Sequence, residues 1–383
     1  MSQTRIFVDL PAALVEELLG RTPELSRSVI EQLTSQRTER ERWRDVLARE
    51  RLLGTLADLP AAPTPTTCGV DGSVEVERLL AHDLLVAGAL AIEGLTPPSE
   101  KRFWPEPRHL LWVELVPHDD ANDTLARALM AACEVELAAR APHDVVFLDG
   151  SLTTPLIAFD QALRALATRE LPSPAARVFL EALPERLDDL ARVLCSADPP
   201  RCWVGVPKYT ARRDLAIRLG LNQQFDDRAL LTILLASGEF TWPIPVTTGR
   251  RPHAFGLDLL PDTLRLRASS SIERVLRAVD RLRVVYVRSH PWLPALSLEL
   301  HESVAIDSSR LASVLQAVHD QSASGKLREP FPLCLADRMV RSLRRATRAL
   351  RHAVREAAAR GYPVLDDVFL ALECYRSESL SSP

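Results

Sequence analysis

The tripeptide Asp-Gly-Ser occurs twice in this sequence, at residues 71–73 and 149–151, and each copy follows a short apolar run of β-prone residues. Asp-Gly is a common turn dipeptide, so either copy alone is explained by a turn. Two copies at the ends of two predicted core strands indicate a site, because a strand end presents a carboxylate from a rigid element. We therefore interpret Asp71 and Asp149 as two ligands at one edge of a sheet.

Paired carboxylates suit one chemistry in particular. Magnesium and manganese prefer oxygen ligands, and carboxylates gathered in one place repel each other unless a cation neutralises them. Two such ions ~3.5–4 Å apart can activate a water molecule and stabilise the leaving oxygen in phosphodiester hydrolysis. In each motif the glycine would let a phosphate backbone approach, and the serine hydroxyl would brace the carboxylate or a metal-bound water. The predicted reaction is metal-assisted hydrolysis with water as the nucleophile.

A third carboxylate is expected from a helix predicted over about residues 123–140, just before the second motif. This helix is apolar on nearly all sides and carries Glu134 and Glu136 among its few charges. A glutamate on a helix that is predicted to be buried typically forms an ion pair or binds a metal. Periodicity does not choose between the two, because they lie on different faces, and each is also consistent with an exposed position. Glu114, inside a predicted strand, is a weaker candidate.

The elements that must position these residues form an α/β pattern. Alternation and β-branched runs predict strands, and apolar residues at helical spacing predict helices between and after them. This mixture favours a mixed sheet flanked by helices, with helical extensions at both ends. We expect an N-terminal helical arm over 1–62, a catalytic domain over 63–345 and a C-terminal helical extension over 346–383. The predicted strands cover about residues 68–70, 79–92, 109–116, 145–148, 202–206, 284–287 and 295–300.

Composition bounds the remaining function classes. The chain has 383 residues and a formal net charge of −4, which neither favours nor excludes a nucleic-acid partner, because a basic channel can coexist with an acidic chain. The six cysteines show no CxxC spacing, so a structural zinc site is not expected. No secretory signal or membrane-length apolar run is found, which predicts a cytoplasmic protein. A Walker A motif is also missing, so any ATP hydrolysis must come from a partner.

Basic and aromatic clusters offer possible contacts to DNA. Arg212-Arg213, Arg250-Arg251 and the arginines of 341–351 can line a channel through phosphate contacts. Phe103-Trp104 and Trp242 can stack on unpaired bases. A solvated helix face explains the arginines equally well, and a place in the core explains the aromatic residues.

Taken in order along the chain, these motifs resemble the NurA nuclease family. The pattern begins with CGVDGS, continues with a helix carrying a glutamate, and reaches a strand ending in VVFLDGSL. It goes on with WVGVPKYT around Lys208, a Gly-Glu segment at Gly238-Glu239, and Pro330-Phe331-Pro332-Leu333 opening a helix that carries Asp337. The resemblance runs from about residue 40 to 345, and it depends on the order and spacing of short motifs.

The resemblance implies an RNase H-like fold and a manganese-dependent deoxyribonuclease, with magnesium as the other candidate ion and two ions per site. It implies single-strand endonuclease and 5′-to-3′ exonuclease activity on DNA, a homodimer, and work with a hexameric HerA-type ATPase in DNA end resection. By the same resemblance, Asp71, Glu134, Asp149 and Asp337 are metal ligands, with Glu136 as the fallback for Glu134. Lys208 would approach the scissile or a neighbouring phosphate.

Three positions depart from the family pattern. Asp337 stands where some members have histidine, Glu329 stands where those members have tyrosine, and Pro207 precedes the lysine where serine is usual. Glu329 and Pro207 support an alternative function, a catalytically weak or inactive clamp or regulator of a HerA-type ATPase, with phage defence as a possible setting. A different RNase H-like enzyme, such as an integrase or resolvase, is a third reading. Viewed without the resemblance, Lys208 is an ordinary surface lysine and Asp337 a first-turn acid favouring a helix N-terminus.

Overall fold

The fold is built on one mixed β-sheet. The computed structural model describes residues 10–96, 102–167, 172–196, 201–208, 212–221, 225–246 and 255–374. The Arg250-Arg251 pair lies outside these ranges. The strands are β1 (Leu53–Thr55), β2 (Thr67–Arg78), β3 (Asp83–Glu93), β4 (Arg108–Val116), β5 (Val145–Asp149), β6 (Cys202–Val206), β7 (Glu239–Thr241), β8 (Ile244–Pro245), β9 (Leu282–Arg288) and β10 (Leu296–His301).

Helices cover both faces of the sheet and extend from its ends. They are α1 (Ala12–Gly20), α2 (Thr22–Arg49), α3 (Asn122–Arg140), α4 (Thr154–Ala167), α5 (Pro174–Cys195), α6 (Asp214–Leu219), α7 (Asp227–Leu234), α8 (Asp262–Val279), α9 (Glu302–Ala305), α10 (Ser308–Gln321), α11 (Phe331–Val340), α12 (Leu343–Gly361) and α13 (Leu365–Ala371). Within the described ranges, no helix combines the length and apolarity needed to cross a bilayer.

The strand order shows that the sheet combines a meander with parallel strands. The order across the sheet is β1-β7-β9-β10-β6-β5-β2-β3-β4, with β8 also pairing with β9. Strands β2, β3 and β4 form an antiparallel meander, and β5 and β6 are parallel to β2 and to each other. The predicted α/β fold with a mixed sheet and helical ends is therefore confirmed.

Strand β5 shows why the central strands read as continuous apolar runs. Val146 and Leu148 pack on one face with α3, α4, α5 and α8, whereas Val145 and Phe147 pack on the other with α10 and α11. A strand that is covered on both faces needs apolar residues at every position, and only the last residue, Asp149, breaks the run.

The first Asp-Gly-Ser is not at a strand end, and this part of the prediction is wrong. Strand β2 continues through it for twelve residues in all, with Asp71 paired to Leu90 of β3 and Ser73 paired to Gly88. The long partner strand supplies hydrogen bonds on both sides of the motif, so the ladder overrides the turn preference of Asp-Gly. Only the second motif follows the prediction, because β5 ends at Asp149 and Gly150 has a φ of +87°.

The N-terminal region is helical only as far as Arg49. Leu53–Thr55 then forms β1, which pairs with β7 and does not continue the predicted helical arm. The end of α2 is held to the sheet by Arg44, which forms two hydrogen bonds of 2.8 Å with Glu239. Arg40 adds a bond of 2.8 Å to the carbonyl of Ile233.

The C-terminal helices fold back on the far edge of the meander. Val368 and Leu372 pack with Leu79, and a β-bridge joins Leu79 to Cys374. Arg351 of α12 is buried and lies 3.1 Å from Glu77 of β2. This buried ion pair fixes α12 against the strand that carries Asp71.

Candidate metal centre

The centre is assembled first by the register of β2 and β5. The two strands are parallel, with Val70 opposite Leu148, so the next residues along, Asp71 and Asp149, lie side by side. Side chains alternate between faces along a strand, which turns Asp149 to the face of Phe147 and of α11. Asp71 shares its face with Gly69.

Gly69 allows α11 to approach that face. A Cβ on Gly69 would lie 2.4 Å from the backbone nitrogen of Leu333, so a larger residue would push the start of α11 away from β2. The close approach places Asp337, in the second turn of α11, beside the two strand aspartates. No acidic residue lies in the first turn of α11, so the reading of Asp337 as a first-turn acid is wrong.

Three carboxylates converge as a result. Asp71, Asp149 and Asp337 each offer an oxygen, and these oxygens lie within 4.8 Å of one another. Burial, together with the neighbouring charge of Asp149, raises the pKa of Asp71 to about 7. Three carboxylate oxygens this close repel one another, and they fit a hard divalent cation, which would remove that repulsion.

Glu134 lies behind Gly72 on the opposite face of the sheet and is not among the three carboxylates whose oxygens lie within 4.8 Å of one another. A Cβ on Gly72 would lie 2.7 Å from Oε1 of Glu134 and 2.7 Å from Cγ of Met130, so the glutamate occupies space that any larger residue would fill. Burial and the charges of Asp71 and Asp149 raise the pKa of Glu134 well above its usual value. The glycine of the first motif therefore admits a protein carboxylate, a role that the sequence analysis assigned to a phosphate backbone.

Glu136 is placed elsewhere. It forms ion pairs with Arg140, at 2.5 Å, and with Arg186 of α5. Glu114 lies on β4 and lines a cavity with Leu79 and Leu350, on the side covered by α12. The structure thus brings Glu134 to the aspartates and gives Glu136 a partner in the helical layer.

Lys208 lies among the carboxylates of the centre and contacts three of them. It follows the end of β6, and its Nζ is 2.8 Å from Asp149, 3.1 Å from Glu329 and 3.3 Å from Asp337. Burial opposes the ammonium charge, but hydrogen bonding and Coulomb attraction from Asp149 and Glu329 outweigh it and raise the pKa of Lys208 above its usual range. Lys208 is therefore no ordinary surface lysine.

Glu329 is a functional candidate that the sequence analysis noted only as a departure from the family pattern. Burial raises the pKa of its carboxyl, although Lys208 works in the opposite direction. With Glu329, the centre contains five carboxylates and one ammonium. This excess of negative charge again favours cations.

Sequence reasoning missed Glu299, which supports the second Asp-Gly-Ser motif through hydrogen bonds. It is fully buried on β10 and accepts hydrogen bonds from the Ser151 hydroxyl at 2.7 Å and from the Leu152 backbone N–H at 2.9 Å. Arg212 lies 2.9 Å from its other oxygen. Ser151 thus bonds to Glu299 and does not brace Asp149 directly. The available signal was a lone acid among leucines in LSLELH.

Two arginines of the basic cluster predicted to contact DNA have acidic partners within the protein. Arg341 pairs with Asp337 at 3.0 Å, which places the start of the basic cluster at the centre. Arg344 lies 3.4 Å from Glu75 on β2. Glu239 of the Gly-Glu segment forms an ion pair with Arg44 and does not belong to the centre.

Comparison with known proteins agrees with this architecture. A family model described as the NurA domain matches residues 65–342. A crystal structure of NurA with manganese aligns with a TM-score of 0.53 and 14% identity, covering 91% of this chain and 99% of that one. The NurA nuclease from Sulfolobus solfataricus aligns with a TM-score of 0.53 and 14% identity, covering 85% and 91%. No protein of curated function matches the sequence. Because the family model spans most of the chain, this protein belongs to the NurA family.

Proposed function

We propose that this protein is a metal-dependent DNA nuclease. The observation that carries the proposal is the convergence of Asp71, Asp149 and Asp337 within 4.8 Å, with the pKa of Asp71 raised to about 7. Membership of the NurA family supports the substrate class, since one similar structure is a NurA nuclease and another contains manganese.

In this proposal the three aspartates and Glu134 hold manganese or magnesium, two ions per site. When bound, the ions supply an activated water and charge neutralisation at the phosphate. The rigid strands keep Asp71 and Asp149 in place, whereas Glu134 and Asp337 join from helices on opposite faces. Lys208 would bind a phosphate oxygen beside the ions, and Glu329, 3.1 Å from its Nζ, would keep the ammonium near the centre.

The finer assignments follow from the family and are proposals as well. We propose cleavage of single-stranded DNA internally and from 5′ ends, in a cytoplasmic homodimer that works with a HerA-type ATPase during DNA end resection. The catalytic domain would span 63–345, between an arm over 1–62 and an extension over 346–383. The family match to residues 65–342 supports these bounds.

The test compares DNA cleavage with manganese by the wild type, Asp71→Asn and Glu134→Gln. Glu136→Gln is the matched control, because it removes the same charge from the same helix but lies against Arg186. We expect the first two changes to reduce cleavage more than the about 10- to 100-fold that loss of an outer-shell partner costs. Full cleavage by Asp71→Asn would refute the proposal.

A non-cleaving regulatory subunit is the second candidate. The contacts of Lys208 with three carboxylates favour it, because an internal ammonium can stand in structurally for a cation. Calorimetry with manganese decides between the two. Stimulation of a HerA-type ATPase without manganese binding would support the regulator, and binding that Asp71→Asn abolishes would support the nuclease.

A further inference from the structure

Trp292 lies in the loop between β9 and β10 and has an exposed ring. All six tryptophans lie in the described part of the chain, and Trp292 is the exposed one, at 42%. Its indole stacks on the ring of His290, with centroids 4.7 Å apart and planes 4° from parallel. His290 in turn stacks on His319 at 4.3 Å, and its Nε2 lies 2.9 Å from the carbonyl of His319. The stacked pair of buried His290 and half-buried His319 therefore fixes the orientation of an exposed aromatic ring.

The sheet topology places this loop at the edge that carries the metal centre. Strand β10 is antiparallel to β6, so the start of β10 lies at the same edge as the end of β6, where Lys208 follows. Strand β5 is parallel to β6 and ends at Asp149 on that edge. The loop that carries Trp292 and the proposed catalytic residues consequently share one rim of the sheet.

Two arginines tie the loop to residues of the centre. Arg228 donates to the carbonyl of Ala295 at 2.9 Å and also to the carbonyl of Lys208. Arg328 donates to the carbonyl of Trp292 at 2.7 Å, and the next residue in the chain is Glu329. These two side chains thus connect the backbone of the loop to Lys208 and to the residue before Glu329.

The charge and exposure of this rim suit a nucleic-acid strand. Arg328 and Lys326 are both exposed beside the loop and can contact phosphates. Of the aromatic residues singled out by sequence, Trp104 packs edge-on against His143 at 4.8 Å and Trp242 packs against Phe240 at 5.1 Å. Phe103 is 39% exposed and packs edge-on against the same His143 at 5.0 Å. Among the aromatic residues that the structure describes, Trp292 combines an exposed ring with a place at the rim that carries the centre.

We propose that Trp292 is a stacking platform for an unpaired DNA base next to the phosphate held at the metal centre. The inference rests on the proposed nuclease function and deepens it by assigning a residue to the preference for single strands. A base within a duplex is already stacked on both faces, whereas an unpaired base can leave its neighbours and lie on the indole. The platform therefore selects single-stranded DNA near the cleavage point.

The experiment measures binding of fluorescein-labelled oligo(dT) and of a blunt hairpin duplex by anisotropy, in an Asp71→Asn background so that the DNA stays intact. We expect Trp292→Leu to weaken oligo(dT) binding by about tenfold and Trp292→Phe to recover most of it, as is typical of stacking aromatic residues. Duplex binding should change little. Ile306→Ser is the matched control, because Ile306 is 72% exposed and follows the opposite end of β10.

A second readout is the quenching of tryptophan fluorescence. Oligo(dT) should quench the emission, and Trp292→Phe should remove that quenching because the other indoles are more buried. Equal affinity of Trp292→Leu and its parent for oligo(dT) would overturn the platform, and so would a parent that does not bind oligo(dT). Neither result affects the cleavage test. Loss of the proposed function would appear instead as unchanged cleavage by Asp71→Asn with an intact Trp292.

Discussion

Asp71→Asn should make the metal-free protein more stable at alkaline pH. Asp71 is 5% exposed, and burial and Asp149 raise its pKa from 3.8 to about 7. Each unit of pKa shift corresponds to about 1.4 kcal/mol, so the ionised carboxylate costs the folded state about 4 kcal/mol. Asparagine keeps the shape of the protonated acid and removes the charge that causes the cost.

The pH dependence follows from the direction of this shift. The folded-state pKa lies above the unfolded-state value, so the cost is absent below about pH 4, grows as the pH rises and is complete above pH 7. The difference in unfolding free energy between Asp71→Asn and the wild type should accordingly be near zero at pH 4 and about 4 kcal/mol at pH 8.

Chemical denaturation in EDTA at several pH values measures this difference. Asp366→Asn, which changes an exposed acid on α13, is the control and should show no such trend. Adding manganese at about 100 times its dissociation constant should stabilise the wild type by about 2.7 kcal/mol and leave Asp71→Asn unchanged. The reasoning is refuted if Asp71→Asn is no more stable than the wild type in EDTA at pH 8.

Three further changes test the support of the centre. Gly72→Ala places a methyl group against Glu134, so we expect manganese affinity and cleavage to fall by about tenfold or more while the melting temperature changes less. Glu299→Ala removes the acceptor beneath the second motif and should destabilise the fold by about 3 kcal/mol in denaturation experiments, whereas Glu299→Gln should retain part of the bracing. Arg44→Ala breaks the pair with Glu239 and should loosen α2 in hydrogen exchange without changing metal binding in calorimetry.

The sequence was most informative where one local pattern determines the outcome. Val145–Leu148 is apolar at every position and stops at Asp149, so both the buried strand and its terminal carboxylate could be predicted. It was misleading at Asp71, because Asp-Gly favours a turn locally and only the long pairing of β2 with β3 keeps the strand extended. That pairing joins Asp71 to Leu90 of the next strand, beyond the few residues on which a turn preference depends.

The choice between Glu134 and Glu136 shows a second limit. Helical periodicity places them on different faces but does not say which face meets the sheet. The decision comes from Gly72, which leaves room for Glu134, and from Arg186, which pairs with Glu136. Both partners belong to other elements, so the answer depends on tertiary packing.

The geometry of the centre also implies how cations would couple distant parts of the fold. The carboxylates come from β2 and β5 in the sheet, from α3 on one face and from α11 on the other. Burial of the charged carboxylates and their mutual repulsion oppose this packing when no cation is present, and both raise the pKa values of Asp71 and Glu134. Cation binding would convert that repulsion into a link between both helical layers and the sheet. Lys208 joins β5 to α11 in the same way but more weakly, because its single positive charge contacts both Asp149 and Asp337. The centre can therefore form around one ammonium and still favour divalent ions.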